Sequence, residues 1–154
     1  MIIDVVVSMK LQVDKNNSPS GDSMQPETHR VLVVDDEPST CFAYRKLLEN
    51  ERFGFDVCED IDTAVAHVRS NDYFAVISDV RFAGSDNKEG VHFASVVRKV
   101  QPEAKVILVT GYGSDELKKS LHELGASHYF EKPINSSEIL SLLRSLHLAA
   151  DELE

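Results

Sequence analysis

Short apolar runs that stop abruptly at polar or acidic residues, with helical stripes between them, constrain this chain more than any other feature. Val31-Leu32-Val33-Val34 ends in Asp35-Asp36, Phe74-Ala75-Val76-Ile77 in Ser78-Asp79, and Val106-Ile107-Leu108-Val109 in Thr110-Gly111. Such runs suit strands buried on both faces. Phe55–Cys58 is a weaker second run, and Ser127–Phe130 is a short fifth one leading to Lys132-Pro133. Helical spacing fills the intervals. Phe42, Leu47 and Leu48 form a stripe from Pro38 to about Asn50, and Ile61, Ala64, Val65 and Val68 form another, capped by Asp60 or Asp62. Val91, Ala94, Val97 and Val100 mark a third helix that stops before Pro102. Ser114–Leu124 is a fourth, closed by Gly125. Ile139, Leu142, Leu143 and Leu146 belong to a fifth, capped by Ser136 or Ser137. Five strand-then-helix repeats predict an α/β fold, a parallel sheet with helices on both faces and right-handed crossovers.

At 154 residues the chain suits one compact domain with tails. The pattern places that domain at residues 29–150, after a leader at 1–28 and before a short tail at 151–154. Ile2–Val7 is apolar, whereas Asp14–Thr28 is rich in Asn, Ser, Pro, Gly and Asp, so the leader reads as mostly flexible. A formal net charge of -10 repels phosphate backbones and argues against direct nucleic-acid binding. No apolar run approaches the roughly 20 residues of a membrane span, so no membrane contact is expected. Cys41 and Cys58 lie in apolar segments without zinc spacing. They read as small core side chains in a reduced, cytoplasmic compartment. The histidines at 29, 67, 92, 122, 128 and 147 show no metal-ligand spacing.

Ligands of open parallel sheets bind beyond the carboxyl ends of the strands. The residues to weigh are therefore those that close each run. Asp35, Asp36 and Glu37 follow the first strand, Asp79 the third, Thr110 the fourth and Lys132 the fifth. Taken singly, each has a plain structural explanation: an Asp caps a helix, Thr-Gly makes a turn, and Lys-Pro means nothing alone. Together they describe a site for phosphoryl transfer. Acids from two strands make an all-oxygen pocket suited to Mg²⁺. One carboxylate can act as nucleophile and form an acyl phosphate. A lysine supplies a point charge, and a threonine hydroxyl a donor, to the phosphoryl oxygens.

The stretches VLVVDDEP (31–38), AVISDV (75–80), VILVTGYG (106–113) and GASHYFEKPI (125–134) resemble the receiver domain family of two-component response regulators. The resemblance runs from about His29 to Leu148. It implies a flavodoxin-like (βα)5 doubly wound sheet in strand order 2-1-3-4-5. It also implies that Asp79 accepts a phosphoryl group from a phosphohistidine. Asp36 and Asp79 would ligate Mg²⁺ directly, Asp35 through water, and the Arg81 carbonyl would be a further ligand. Thr110 and Lys132 would contact the phosphoryl group, and Thr110 and Tyr129 would act as the switch pair. The implied partners are a sensor histidine kinase or a histidine phosphotransfer protein, an output domain or downstream protein, and a second copy through the fourth helix, fifth strand and fifth helix. On this reading the chain catalyses only its own phosphorylation and dephosphorylation. Phe82-Ala83 stands where family members often carry Met-Pro, and the loop through Asp86-Asn87-Lys88-Glu89 is a few residues longer. Two other readings compete. One is a receiver-like docking domain that never takes phosphate. The other is a phosphatase whose nucleophile follows the first strand, but such an enzyme wants a second Asp two residues on, where this chain has Glu37.

Overall fold

The computed structural model describes residues 29–79, 88–111, 119, 123 and 125–152. The leader at 1–28, the loop at 80–87 with Arg81, and most of the expected fourth helix lie outside the described residues. Lys119 and Glu123 of that helix are helical and exposed.

The described elements are β1 (Arg30–Val34), α1 (Pro38–Leu48), β2 (Gly54–Cys58), α2 (Ile61–Ser70), β3 (Ala75–Asp79), α3 (Lys88–Val100), β4 (Lys105–Thr110), β5 (Ala126–Glu131) and α4 (Ser136–Glu152). Here α4 is the fifth helix of the sequence reading. The strands form one sheet in order β2-β1-β3-β4-β5, and each neighbouring pair is parallel. Alternate residues point to opposite faces of a strand, so each apolar run feeds two cores at once. Leu32, Val34, Val76, Val106 and Leu108 pack against α2 and α3 through Ala64, Val68, Phe93 and Val97. Val31, Val33, Ile77, Ile107 and Val109 pack against α1 and α4 through Tyr44, Leu48, Ile139 and Leu143. Continuous rather than alternating hydrophobicity is the direct consequence.

Three local expectations are corrected. The buried stripe of α1 is Cys41, Tyr44 and Leu48, while Phe42 is 60% exposed beneath the Lys46 ammonium. That helix ends at Leu48, not Asn50. The last helix is capped by Asn135, not Ser136 or Ser137: its Oδ1 accepts from the N–H groups of Ser137 (2.9 Å) and Glu138 (3.2 Å). An amide oxygen one residue earlier reaches the orphan N–H groups better than a hydroxyl already inside the turn. At α2 it is Asp60 that caps, accepting from Thr63 N at 2.7 Å. Gly125 closes the turn before β5 at φ +85, and a Cβ there would lie 2.6 Å from Arg98.

At the rim opposite the strands' carboxyl ends, His147 of α4 sits among the rings of His29, Phe53 and Phe74, with centroids 5.2, 5.4 and 5.4 Å away. Burial, and then the neighbouring His29, hold the His147 imidazole below its ordinary pKa. The unfolded chain therefore binds a proton here more readily than the folded one. The stability from neutral His147 is present above about pH 6.5 and is lost as pH falls below it. His147→Phe should flatten the fall in unfolding free energy between pH 7 and pH 5, measured by urea denaturation at both values; an unchanged slope would refute the assignment.

Candidate functional site

The sheet register brings the acids together. Val34 of β1 pairs with Ser78 of β3, so the next residues, Asp35 and Asp79, leave neighbouring strands at the same level. Asp79 itself pairs with Val109, which puts Thr110 one residue beyond it on the adjacent strand. Asp35, Asp79 and Thr110 are all buried, whereas Asp36 is exposed. One ligand oxygen from each of Asp35, Asp36 and Asp79 lies within 4.8 Å of the others. Among the described residues this is the group of three that could hold a metal ion.

Lys132, the residue just after β5, completes the cluster. Its Nζ donates to Asp79 Oδ2 at 3.0 Å and to Asp35 Oδ2 at 3.4 Å. Its backbone N–H donates to the Thr110 carbonyl at 2.8 Å, which ties the ends of β4 and β5 together. The carboxylates are almost wholly buried, at 5% and 7% side-chain exposure, while the lysine keeps 30%. Burial raises the Asp35 pKa. The Glu37 N–H and the lysine oppose that rise, and the like charge of Asp79 adds to it. Burial also works against the Lys132 charge, but the hydrogen bond to Asp79 and the two carboxylates outweigh it and hold its pKa above the ordinary lysine value.

Asp35 is held at every polar position for which a bond is seen. Its N–H donates to the Cys58 carbonyl at 3.1 Å, and its Oδ1 accepts from Glu37 N at 2.9 Å. Its carbonyl accepts from the Cys41 thiol at 3.0 Å. Both cysteines are free and buried, as the sequence suggested, and burial pushes the Cys58 thiol up to about 12. Tyr129 is half-buried and packs against the core on the α2 and α3 face, pairing with Leu108. Burial raises its hydroxyl pKa. Arg81, expected at the site through its carbonyl, lies outside the described residues.

Two features escaped the sequence reading. One is the Cys41 thiol, since spacing alone cannot show a bond from a helix to a strand end. The other is a groove of about 550 Å³ beside Lys132, lined by Thr40, Tyr44, Leu47, Ile134 and Ile139 among others. Residues 40, 44 and 47 share one helical face, which was a legible signal for it.

Comparison with known proteins agrees with the fold. A family model described as the response regulator receiver domain matches residues 31–144. The transcriptional regulatory protein TcrA of Mycobacterium tuberculosis is 32% identical over 117 residues, covering 76% of this chain and 45% of that protein. The nitrogen assimilation regulatory protein NtrX of Azorhizobium caulinodans is 27% identical over 112 residues, covering 73% of this chain and 24% of that protein. The chain thus spans a quarter to a half of the length of these relatives. Among solved structures, a CheY-like response regulator receiver domain protein from Methanospirillum hungatei superimposes with TM-score 0.71 at 23% identity, covering 80% of this chain and 98% of that one. The beryllofluoride-activated NtrC4 receiver domain dimer superimposes with TM-score 0.68 at 28% identity, covering 76% and 94%.

Lys132→Met removes the cation from between two buried carboxylates. It should cost about 1–3 kcal/mol of stability in low salt, less than a fully buried pair because the lysine is partly wet. Lys132→Arg should retain most of that stability. Equal urea midpoints for wild type and Lys132→Met would show that the contacts carry no net energy.

Proposed function

Because this chain belongs to the response regulator receiver domain family of two-component signalling, we propose that Asp79 accepts a phosphoryl group from a phosphohistidine and that the resulting charge changes what the domain binds. The observation that carries this is the Lys132 ammonium within 3.0 Å of Asp79, inside a cluster of three acids whose oxygens approach within 4.8 Å.

The donor set fits Mg²⁺, a hard cation that takes oxygen ligands and keeps waters. Asp36 and Asp79 would hold the ion directly and Asp35 through water, with the Arg81 carbonyl as a further ligand. When bound, Mg²⁺ would neutralise the acids and let an anionic phosphoryl group approach. The rest falls to side chains. A carboxylate oxygen of Asp79 forms the new bond to phosphorus as the phosphorus–nitrogen bond of the donor breaks. The electron pair stays on the imidazole nitrogen, which takes a proton from solvent. Lys132 shifts its hydrogen bond from the carboxylate to a phosphoryl oxygen, and the Thr110 hydroxyl donates to another. Hydrolysis of the acyl phosphate restores Asp79.

The donor is a sensor histidine kinase or a histidine phosphotransfer protein in the cytoplasm. The groove beside Lys132 gives a protein donor an apolar surface to seat against. Tyr129, on the strand that leads to Lys132, follows Thr110 in the switch and changes the face of the fourth helix of the sequence reading, β5 and α4. An output domain, a downstream protein or a second copy reads that face. The state difference is a few kcal/mol, as a population shift requires.

Incubation with Mg²⁺ and a small acyl-phosphate donor should add the mass of one phosphoryl group to the intact chain, located at Asp79 by peptide mapping. Asp79→Asn and chelation by EDTA should each abolish the gain. A chain that gains no mass would be the receiver-like docking domain instead, and steady turnover of a phosphomonoester would favour the phosphatase reading.

A further inference from the structure

We infer that Cys41 is a positioning residue for the acid loop, its thiol fixing the peptide between Asp35 and Asp36 and so aiming Asp36 for a divalent cation. This rests on the reading of Asp35, Asp36 and Asp79 as a cation site.

Asp36 is the exposed member of the acid cluster, so its side chain is less enclosed than those of Asp35 and Asp79. Its direction is set instead by the two peptides that flank it. The preceding peptide is held at the Asp35 carbonyl, which accepts from the Cys41 thiol at 3.0 Å. The following peptide is held at the Glu37 N–H, which donates to Asp35 Oδ1 at 2.9 Å. Cys41 grips the loop a second time through its backbone, its N–H donating to the Glu37 carbonyl at 3.0 Å. One residue in the first turns of α1 thus spans the loop from the carbonyl before Asp36 to the carbonyl after it.

The thiol is well placed for this. Cys41 is 0% exposed, so no water competes for the Asp35 carbonyl at that side. Its sulfur also lies 3.8 Å from the Cys58 carbonyl, the acceptor of the Asp35 N–H. The same sulfur therefore touches both sides of the β1–β2 seam at the level where the acids leave the sheet. A buried apolar side chain of similar volume would fill the space but leave the Asp35 carbonyl without this donor. Rotation of the 35–36 peptide would then swing Asp36 away from Asp35 and Asp79.

The test is a Mg²⁺ titration of the full chain and of Cys41→Ser, Cys41→Val and Cys41→Ala, followed by the amide resonances of residues 35 and 36, with thermal unfolding of each variant. Valine keeps the bulk and loses the donor, alanine loses both, and serine keeps a donor. The expected result is that Cys41→Val and Cys41→Ala bind Mg²⁺ about threefold to tenfold more weakly than wild type while still unfolding cooperatively. Cys41→Ser should recover to within about twofold, because a hydroxyl also donates. Wild-type affinity in both Cys41→Val and Cys41→Ala would overturn the inference, since packing alone would then account for the residue. Equal weakening in serine and valine would overturn it too. Absence of Mg²⁺ saturation in the wild-type chain would remove the cation site itself and this inference with it.

Discussion

Two like charges are buried side by side in this molecule, and much of its architecture answers to them. Carboxylates taken out of water cost several kcal/mol each, and a pair at neighbouring strand ends adds repulsion. Asp35 and Asp79 are tolerable because Lys132 bonds to both and because Asp35 also accepts a backbone N–H. The lysine is delivered by geometry rather than by chance. The bond from its N–H to the Thr110 carbonyl fixes where β5 stops. A bulge between the partners of Val106 and Ile107 sets the register, pairing Tyr129 with Leu108 and Glu131 with Thr110. Without the extra residue every later side chain of β5 would face the other side of the sheet.

The compensation is incomplete by design of the residue set. Three carboxylates against one ammonium leave two formal negative charges in the cluster. A divalent cation would balance that count, at the rim where Asp36 is exposed. A role through water, as proposed for Asp35, suits a carboxylate that is already bonded. Its oxygens are already engaged by Glu37 and Lys132.

The sheet and its order of strands were legible because burial on both faces forces continuous apolar runs, and because polar residues at strand ends had no packing reason to recur. Asp35, Asp36, Asp79, Thr110 and Lys132 were singled out by the same punctuation, whereas Arg81 and Tyr129 came only from the resemblance. What stayed hidden depended on which way a side chain turns. Phe42 fits a helical stripe by spacing but points outward, because Cys41, Tyr44 and Leu48 already fill the contact with β1 and β2. Asn135 outcompetes two serines for the cap through reach alone. The bulge at β5 has no sequence mark, since Ser127 and His128 are both acceptable on an exposed edge strand. The Cys41 bond belongs to the same class, being a contact across 6 residues that only the packed helix reveals.

The distribution of restraints around Asp79 also gives direction to any response. On the β1 side, Asp35 is fixed through its N–H, its carbonyl and both carboxylate oxygens, so little there can move without breaking several bonds. On the β4 side, Lys132 and Thr110 share one main-chain bond, and Lys132 reaches Asp79 through a long, partly exposed side chain. Charge added at Asp79 acts on Lys132 directly and on Thr110 as the neighbouring strand end. On the proposed switch the softer of the two sides would yield first. That side carries β5, with Tyr129 against the α2 and α3 core and Phe130 against the α1 and α4 core. A signal leaving the site through β4 and β5 would therefore reach both layers of the fold, while the more tightly held acid loop stays in place.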